Sequence, residues 1–98
     1  MKKFDTEAIH TELRLMPGWS FVNGFLEKHF VFVNFKETIT AMVRIGFEAE
    51  HMNHHPDWSN VYNKLHVKLR THDADGITEK DFTLAKKIDV IANSMIKQ

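Results

Sequence analysis

The stretch Trp19-Ser20-Phe21-Val22-Asn23-Gly24-Phe25-Leu26-Glu27-Lys28-His29-Phe30-Val31-Phe32-Val33 decides the fold. Asn-Gly readily takes the positive φ of a type I′ turn, so the residues on either side predict a β-hairpin. A two-residue turn sets Phe21 opposite Leu26. Trp19, Phe21, Leu26, Phe30 and Phe32 then share one face, the core side of an antiparallel sheet. Upstream, Asp5 is placed to cap a helix, with Phe4 and Ile9 at hydrophobic-staple spacing. Ile9, Leu13 and Met16 repeat on one helical face until Pro17-Gly18 stops it.

Downstream, Asn34 and Glu37 have capping-box spacing and open a helix that should run to about Met52. Ile39, Met42, Val43, Gly46 and Phe47 form one apolar face, which Ala41, Ile45, Ala49 and Met52 extend. Glu37, Thr40, Arg44, Glu48 and His51 are left as a narrow polar strip. The apolar arc is roughly 240°, far wider than the ~100° stripe that a surface helix requires. Burial inside its own domain or against a second subunit would each account for that width, and a chain this small favours the subunit. Pro56 should end the helix, because the residue before a proline avoids the α conformation. Trp58 to Tyr62 and Lys64 to Thr71 predict a second hairpin about Asn63. In its second strand Leu65, Val67, Leu69 and Thr71 alternate with His66, Lys68, Arg70 and His72. Asp73-Ala74-Asp75-Gly76 is a loop. Thr78 and Asp81 then cap a last helix with an Ile77/Phe82 staple, its inner face being Phe82, Ala85, Ile88, Ile91, Ala92 and Met95. The order α-β-β-α-β-β-α predicts an α+β two-layer sandwich, a four-stranded antiparallel sheet with helices on one face.

Composition bounds what such a domain can do. The 98 residues carry 13 Lys+Arg and 13 Asp+Glu, a formal net charge of zero, with 43% hydrophobic residues. Size scaling lets about two thirds of the unfolded surface be buried, which suits one domain over residues 1–98. The balanced charge argues against a nucleic-acid footprint. No run approaches a membrane span or a signal-peptide core, so a cytoplasmic domain is expected. With no cysteine, disulfides, thiolate metal sites and a Cys nucleophile are excluded.

Seven histidines stand out, three of them within residues 51 to 55. His51, His54 and His55 at i, i+3, i+4 raise the question of a metal site. Pro56 argues against it by breaking the helix right after His55, and no His-Glu-x-x-His spacing occurs. His72 stands at a strand end, Asp81 is accounted for as a cap, and Phe47 and Trp58 are core candidates. There is no serine elbow and no phosphate-cradling glycine loop.

Taken together, His54-His55-Pro56-Asp57-Trp58, Val61-Tyr62-Asn63, Thr71-His72-Asp73, Thr78-Glu79-Lys80-Asp81 and Leu84-Ala85 resemble the pterin-4a-carbinolamine dehydratase family. Trp19, the Phe30-Val31-Phe32 strand leading to Phe35, and Ala49-Glu50 fit as well. The resemblance covers roughly residues 15 to 95. Two departures are visible: Asp57 stands where many members carry Glu, and Asp75 where glycine is common. The resemblance implies dehydration of a 4a-hydroxytetrahydropterin to the quinonoid dihydropterin, a step in recycling the pterin of aromatic amino-acid hydroxylases. It implies that His54, His55 and His72 surround the 4a carbon, with His55 and His72 transferring protons. It also implies that Glu50 and Asp81 orient the imidazoles, and that Pro56, Trp58 and the backbone of Thr71, His72, Asp73 and Ala74 form the pterin pocket. No metal, nicotinamide or flavin is implied. Family members form homodimers or homotetramers in part through the helix at residues 35–52. Some animal members also serve as the dimerisation cofactor of a homeodomain transcription factor, which would add a nuclear location.

Overall fold

The turn at Asn23-Gly24 starts the sheet. In the computed structural model, which describes residues 2–96, β1 (Ser20–Val22) and β2 (Phe25–Val31) are antiparallel with Phe21 opposite Leu26. Asn23 and Gly24 both hold positive φ, 51° and 85°, as a type I′ turn requires. β2 ends at Val31 instead of Val33. Phe32 still reaches the core because Asn63 clamps it: Asn63 Nδ2 donates to the Phe32 carbonyl at 2.9 Å, and Phe32 N–H donates to the Asn63 carbonyl at 2.8 Å. The second hairpin joins β3 (Asp57–Val61) to β4 (Lys64–Leu69). Its turn is Tyr62-Asn63, not Asn63 alone, because Tyr62 takes left-handed backbone at φ 51° and ends the strand one residue early.

The strand order is β1-β2-β4-β3. Leu26 faces Leu69, Lys28 faces Val67 and Phe30 faces Leu65. Leu26, Phe30, Leu65, Val67 and Leu69 are therefore buried on one side, while Glu27, His29, Lys64, His66 and Lys68 lie on the other. Three helices cover the apolar side, α1 (Thr6–Leu13), α2 (Phe35–Met52) and α3 (Glu79–Ile96). The observed order is α-β-β-α-β-β-α, an α+β two-layer sandwich with one short 3-10 turn, His72–Ala74, added before α3. Each fully buried Leu, Ile or Phe in such a layer contributes roughly 1.5–3 kcal/mol. No helix among the described residues is long and apolar enough to cross a membrane.

α1 begins as expected, with Asp5 Oδ1 accepting from Ala8 N–H at 2.8 Å. It ends at Leu13, one turn before Met16. Bonds from Leu15 N–H to the Glu12 carbonyl and from Met16 N–H to the Leu13 carbonyl tighten the exit, and Pro17 prevents Met16 from continuing the helix. Met16 nevertheless packs in the core. Trp19 is latched to α3: its indole Nε1 donates to Asp89 Oδ2 at 3.0 Å, and Lys28 Nζ stands 2.8 Å from Asp89 Oδ1.

The wide apolar arc of α2 divides into two stripes. Thr38, Ala41, Ile45 and Ala49 are buried against the chain's own core. Ile39, Val43 and Phe47 are 40%, 52% and 72% exposed on the outer side. Ile45 thus belongs to the internal stripe, whereas the outer stripe alone is free for a partner. Arg44 Nη1 donates to Ser94 Oγ at 3.3 Å and Glu48 pairs with Lys87 at 3.5 Å, so the polar strip lies along α3.

Candidate active site

The site is built where α2 ends. The helix stops at Met52, four residues before Pro56, through a left-handed Asn53 at φ 53°, ψ 44°. Asn53 N–H donates to the Glu50 carbonyl and His54 N–H to the Ala49 carbonyl, both at 3.0 Å, the pair of bonds that defines a Schellman C-cap. Proline is therefore not the stop; the backbone has already turned. This turn separates the histidines. His51 stays exposed on the helix, His54 is carried inward and His55 outward. The three do not assemble as metal ligands: among the described residues, the group of three histidine or acidic side chains with donor atoms close together lies elsewhere, on the sheet.

His54 is buried, with Nε2 at 2.6 Å from Asp81 Oδ1. Asp81 is wholly buried at the third residue of α3, where it does serve as a cap: Oδ2 accepts from Thr78 N–H at 2.9 Å. Oδ2 also accepts from Thr71 Oγ1 at 2.8 Å, and the hydroxyls of Thr71 and Thr78 are 2.7 Å apart. No buried side-chain polar atom among the described residues lacks a partner. A carboxylate that accepts from Nε2 favours the tautomer with its proton on Nε2, leaving Nδ1 as an acceptor. Asp81 therefore orients His54 and caps α3 with one carboxylate.

His55 makes a different pair, with Nε2 at 2.8 Å from Glu50 Oε1 one turn back. Its side chain is 57% exposed and that of Glu50 79%, so water screens the pair and it steers the ring without contributing much stability. Glu50 and Asp81 thus serve different imidazoles. Pro56 and Trp58 are half-buried at the start of β3, and Trp58 packs against the core.

β4 ends at Leu69, and Thr71 continues it only as an isolated bridge to Gly76. His72 opens the 3-10 turn as an exposed side chain beside the buried Thr71. Asp73 is exposed and Ala74 half-buried. Asp75 closes the turn in the left-handed region at φ 54°, a conformation natural to glycine that aspartate tolerates better than most residues. Its carboxylate pairs with Arg70, anchoring the turn. Asp57, the other departure, is an exposed residue opposite Lys68 at the head of β3. The structure brings His54, Asp81, Thr71 and Thr78 into direct contact and joins His55 to Glu50. The sequence predicts Thr71 on the core side of its strand and, by resemblance, as pocket backbone, and Thr78 as the capping partner of Asp81. Their linked hydroxyls depend on the Thr71–Gly76 bridge, for which the local sequence carries no signal.

The family profile described as pterin 4 alpha carbinolamine dehydratase matches residues 2–91. A protein of Christiangramia forsetii named "Putative pterin-4-alpha-carbinolamine dehydratase" is 49% identical over 94 residues, covering 96% of this chain and 97% of its own length. A protein of the same name from Rhizobium meliloti is 50% identical over 93 residues, covering 93% of this chain and 89% of its own length. The crystal structure of a transcriptional coactivator/pterin dehydratase from Brucella melitensis superposes with a TM-score of 0.90 at 32% identity, covering 93% of this chain and 99% of that one. A matched profile across nearly the whole chain, close relatives of equal length and a shared fold lead to one conclusion: the chain belongs to the pterin-4a-carbinolamine dehydratase family.

Proposed function

We propose that this chain dehydrates a 4a-hydroxytetrahydropterin to the quinonoid dihydropterin and water, by acid–base chemistry on histidine, within pterin recycling in the cytoplasm. The C4a–O bond breaks, the hydroxyl leaves as water once protonated, and the N5 proton is lost as the C4a–N5 double bond forms. Imidazole suits both transfers, because its ordinary pKa of ~6.5 lets one residue type give and take protons near neutrality. His55, steered by Glu50, and His72, on the exposed 3-10 turn, carry the two transfers. His54 positions the 4a substituent through Nδ1, and Pro56, Trp58 and the Thr71–Ala74 backbone hold the ring. No cofactor enters the step. The observation that carries this reading is the buried His54–Asp81 pair at 2.6 Å, locked by Thr71 and Thr78. The test is the rate of 4a-hydroxytetrahydropterin dehydration with purified protein, and no acceleration over the spontaneous reaction refutes it.

The outer stripe of α2 supports self-association into a homodimer or homotetramer. Gly46 lies beside Val43 and Phe47, and a Cβ built there meets nothing within 4 Å. A mid-helix glycine costs about 1 kcal/mol relative to alanine, and no crowding inside the chain requires it. Close approach by a second helix would account for it. The same stripe favours a second reading, in which the chain is a coactivator whose helix engages a homeodomain transcription factor. Displacement of the homo-oligomer by a dimerisation helix of such a factor would support that reading, and lack of any competition would dismiss it.

A further inference from the structure

The face of the sheet turned away from the helices carries a second group of side chains capable of chemistry. Glu27 and His29 of β2 lie there with His66 of β4, and His29 stands directly opposite His66 in the ladder. The two imidazoles are stacked, with centroids 4.0 Å apart and planes inclined by 11°. Glu27 is one side-chain repeat from His29 on the same strand. It reaches diagonally to set Oε1 2.8 Å from His66 Nε2. It does so although Lys68 is its direct partner across the ladder; the Lys68 ammonium lies over the Phe25 ring, 4.3 Å from its centre. One donor atom from each of Glu27, His29 and His66 lies within 4.8 Å of the other two.

We propose that Glu27, His29 and His66 bind one divalent transition-metal ion of the zinc class on this face. Two imidazoles and a carboxylate match the donor preference of Zn²⁺, Ni²⁺ and Cu²⁺, and they are a poor set for Mg²⁺ or Ca²⁺. Zinc bonds of about 2.0–2.2 Å place tetrahedral donors roughly 3.4 Å apart. His66 and Glu27 need to separate by only a fraction of an ångström to reach that spacing. The stacked rings hold their lone pairs in nearly parallel planes, so ligation requires His29 to turn out of the stack; as the most exposed of the three it has the rotamer freedom to do so. All three Cα positions are fixed by ladder pairing, so little backbone ordering accompanies binding. Solvent completes the coordination. The site shares no residue with the pterin site and does not depend on the dehydratase reading.

The test is calorimetric titration of tag-free, metal-stripped protein with ZnCl₂, paralleled by Co²⁺ titration followed by visible absorption. One equivalent per chain is expected, with a dissociation constant in the micromolar range. Losing a group that merely orients a ligand commonly weakens a metal site by about 10–100-fold, so losing a ligand should cost at least about tenfold. His29→Ala, His66→Ala and Glu27→Gln should each weaken binding by at least that much, while His54→Ala and His55→Ala leave the affinity as it was. Melting curves check that each variant folds. Should one fail to fold, the imidazole NMR resonances of the unaltered protein decide the matter: His29 and His66 must move on zinc addition. Absence of binding, affinity indifferent to His29→Ala and His66→Ala, or resonance shifts confined to His51, His54 and His55 would overturn the proposal.

Discussion

Replacing Asp81 separates the two tasks of its carboxylate. Oδ2 accepts from Thr78 N–H and Thr71 Oγ1, and Oδ1 accepts from His54. In Asp81→Ala, Thr71 keeps the Thr78 hydroxyl at 2.7 Å, but Thr78 N–H and His54 Nε2 lose their acceptors in a buried setting. At about 1–3 kcal/mol for each unsatisfied group, the expected cost is about 2–6 kcal/mol. For a domain of this size that lowers Tm by roughly 10–30 °C. Asp81→Asn should behave differently. Thr78 N–H is an obligate donor, so the amide oxygen must take the Oδ2 position and the NH₂ must face His54. Its imidazole then has to accept at Nε2 and carry its proton on Nδ1, the reverse of the parent tautomer. The fold should lose only about 1 kcal/mol, while turnover falls by about 10²-fold because Nδ1 has become a donor. Thermal melts, dehydration rates corrected for the spontaneous reaction, and ¹⁵N NMR of the His54 ring measure the three effects. An unchanged Tm in Asp81→Ala refutes the buried-network energetics. Parent-level turnover in Asp81→Asn with a reversed tautomer refutes the role given to His54.

Replacing His55 or His72 by Ala should lower turnover by about 10²–10⁴-fold, down to the floor set by the spontaneous reaction, and the double variant should fall far short of additivity. His10→Ala, remote on α1, is the control; an equal loss there at unchanged Tm would disprove the residue assignment. Activity should survive exhaustive chelation, even though chelation empties the proposed zinc site; loss restored by zinc would contradict metal-free catalysis. Phe47→Glu should reduce oligomer order in light scattering with little change in fold, whereas Ile45→Glu should prevent folding, because it places a charge inside the core stripe. A monomeric parent protein would refute the assembly. Asp89→Ala should cost about 2 kcal/mol, measured by denaturant unfolding, because Trp19 Nε1 and Lys28 both lose a partner that is half out of water; a cost near zero would show that water replaces the latch.

What the sequence determined by itself lay within a few residues, at the turn and the helix starts, while local stops such as Asn53 at the end of α2 went unread. The Asn23-Gly24 turn set Phe21 against Leu26, Asp5 and Asn34 capped their helices, and Thr78 with Asp81 opened α3, because turn conformations and caps are satisfied by neighbours along the chain. Alternation along residues 65–71 placed the core side of β4 for the same reason. The histidines proposed for the site were singled out through the His54-His55-Pro56-Asp57-Trp58 block and its resemblance to a family, since spacing alone left them among several alternatives. Tertiary structure decided which carboxylate serves which imidazole. His54 meets Asp81, 27 positions away in sequence, only because a Schellman turn at Asn53 points it inward as α3 begins beside it. Packing also divided the α2 arc, since a helix lying on a sheet and beside α3 can bury just one flank of an apolar surface that wide. Finally, the register of β2 against β4 brought His29 onto His66. Register between strands that are not joined by a turn is set by the fit of the whole core, so no local stretch of the chain contains it.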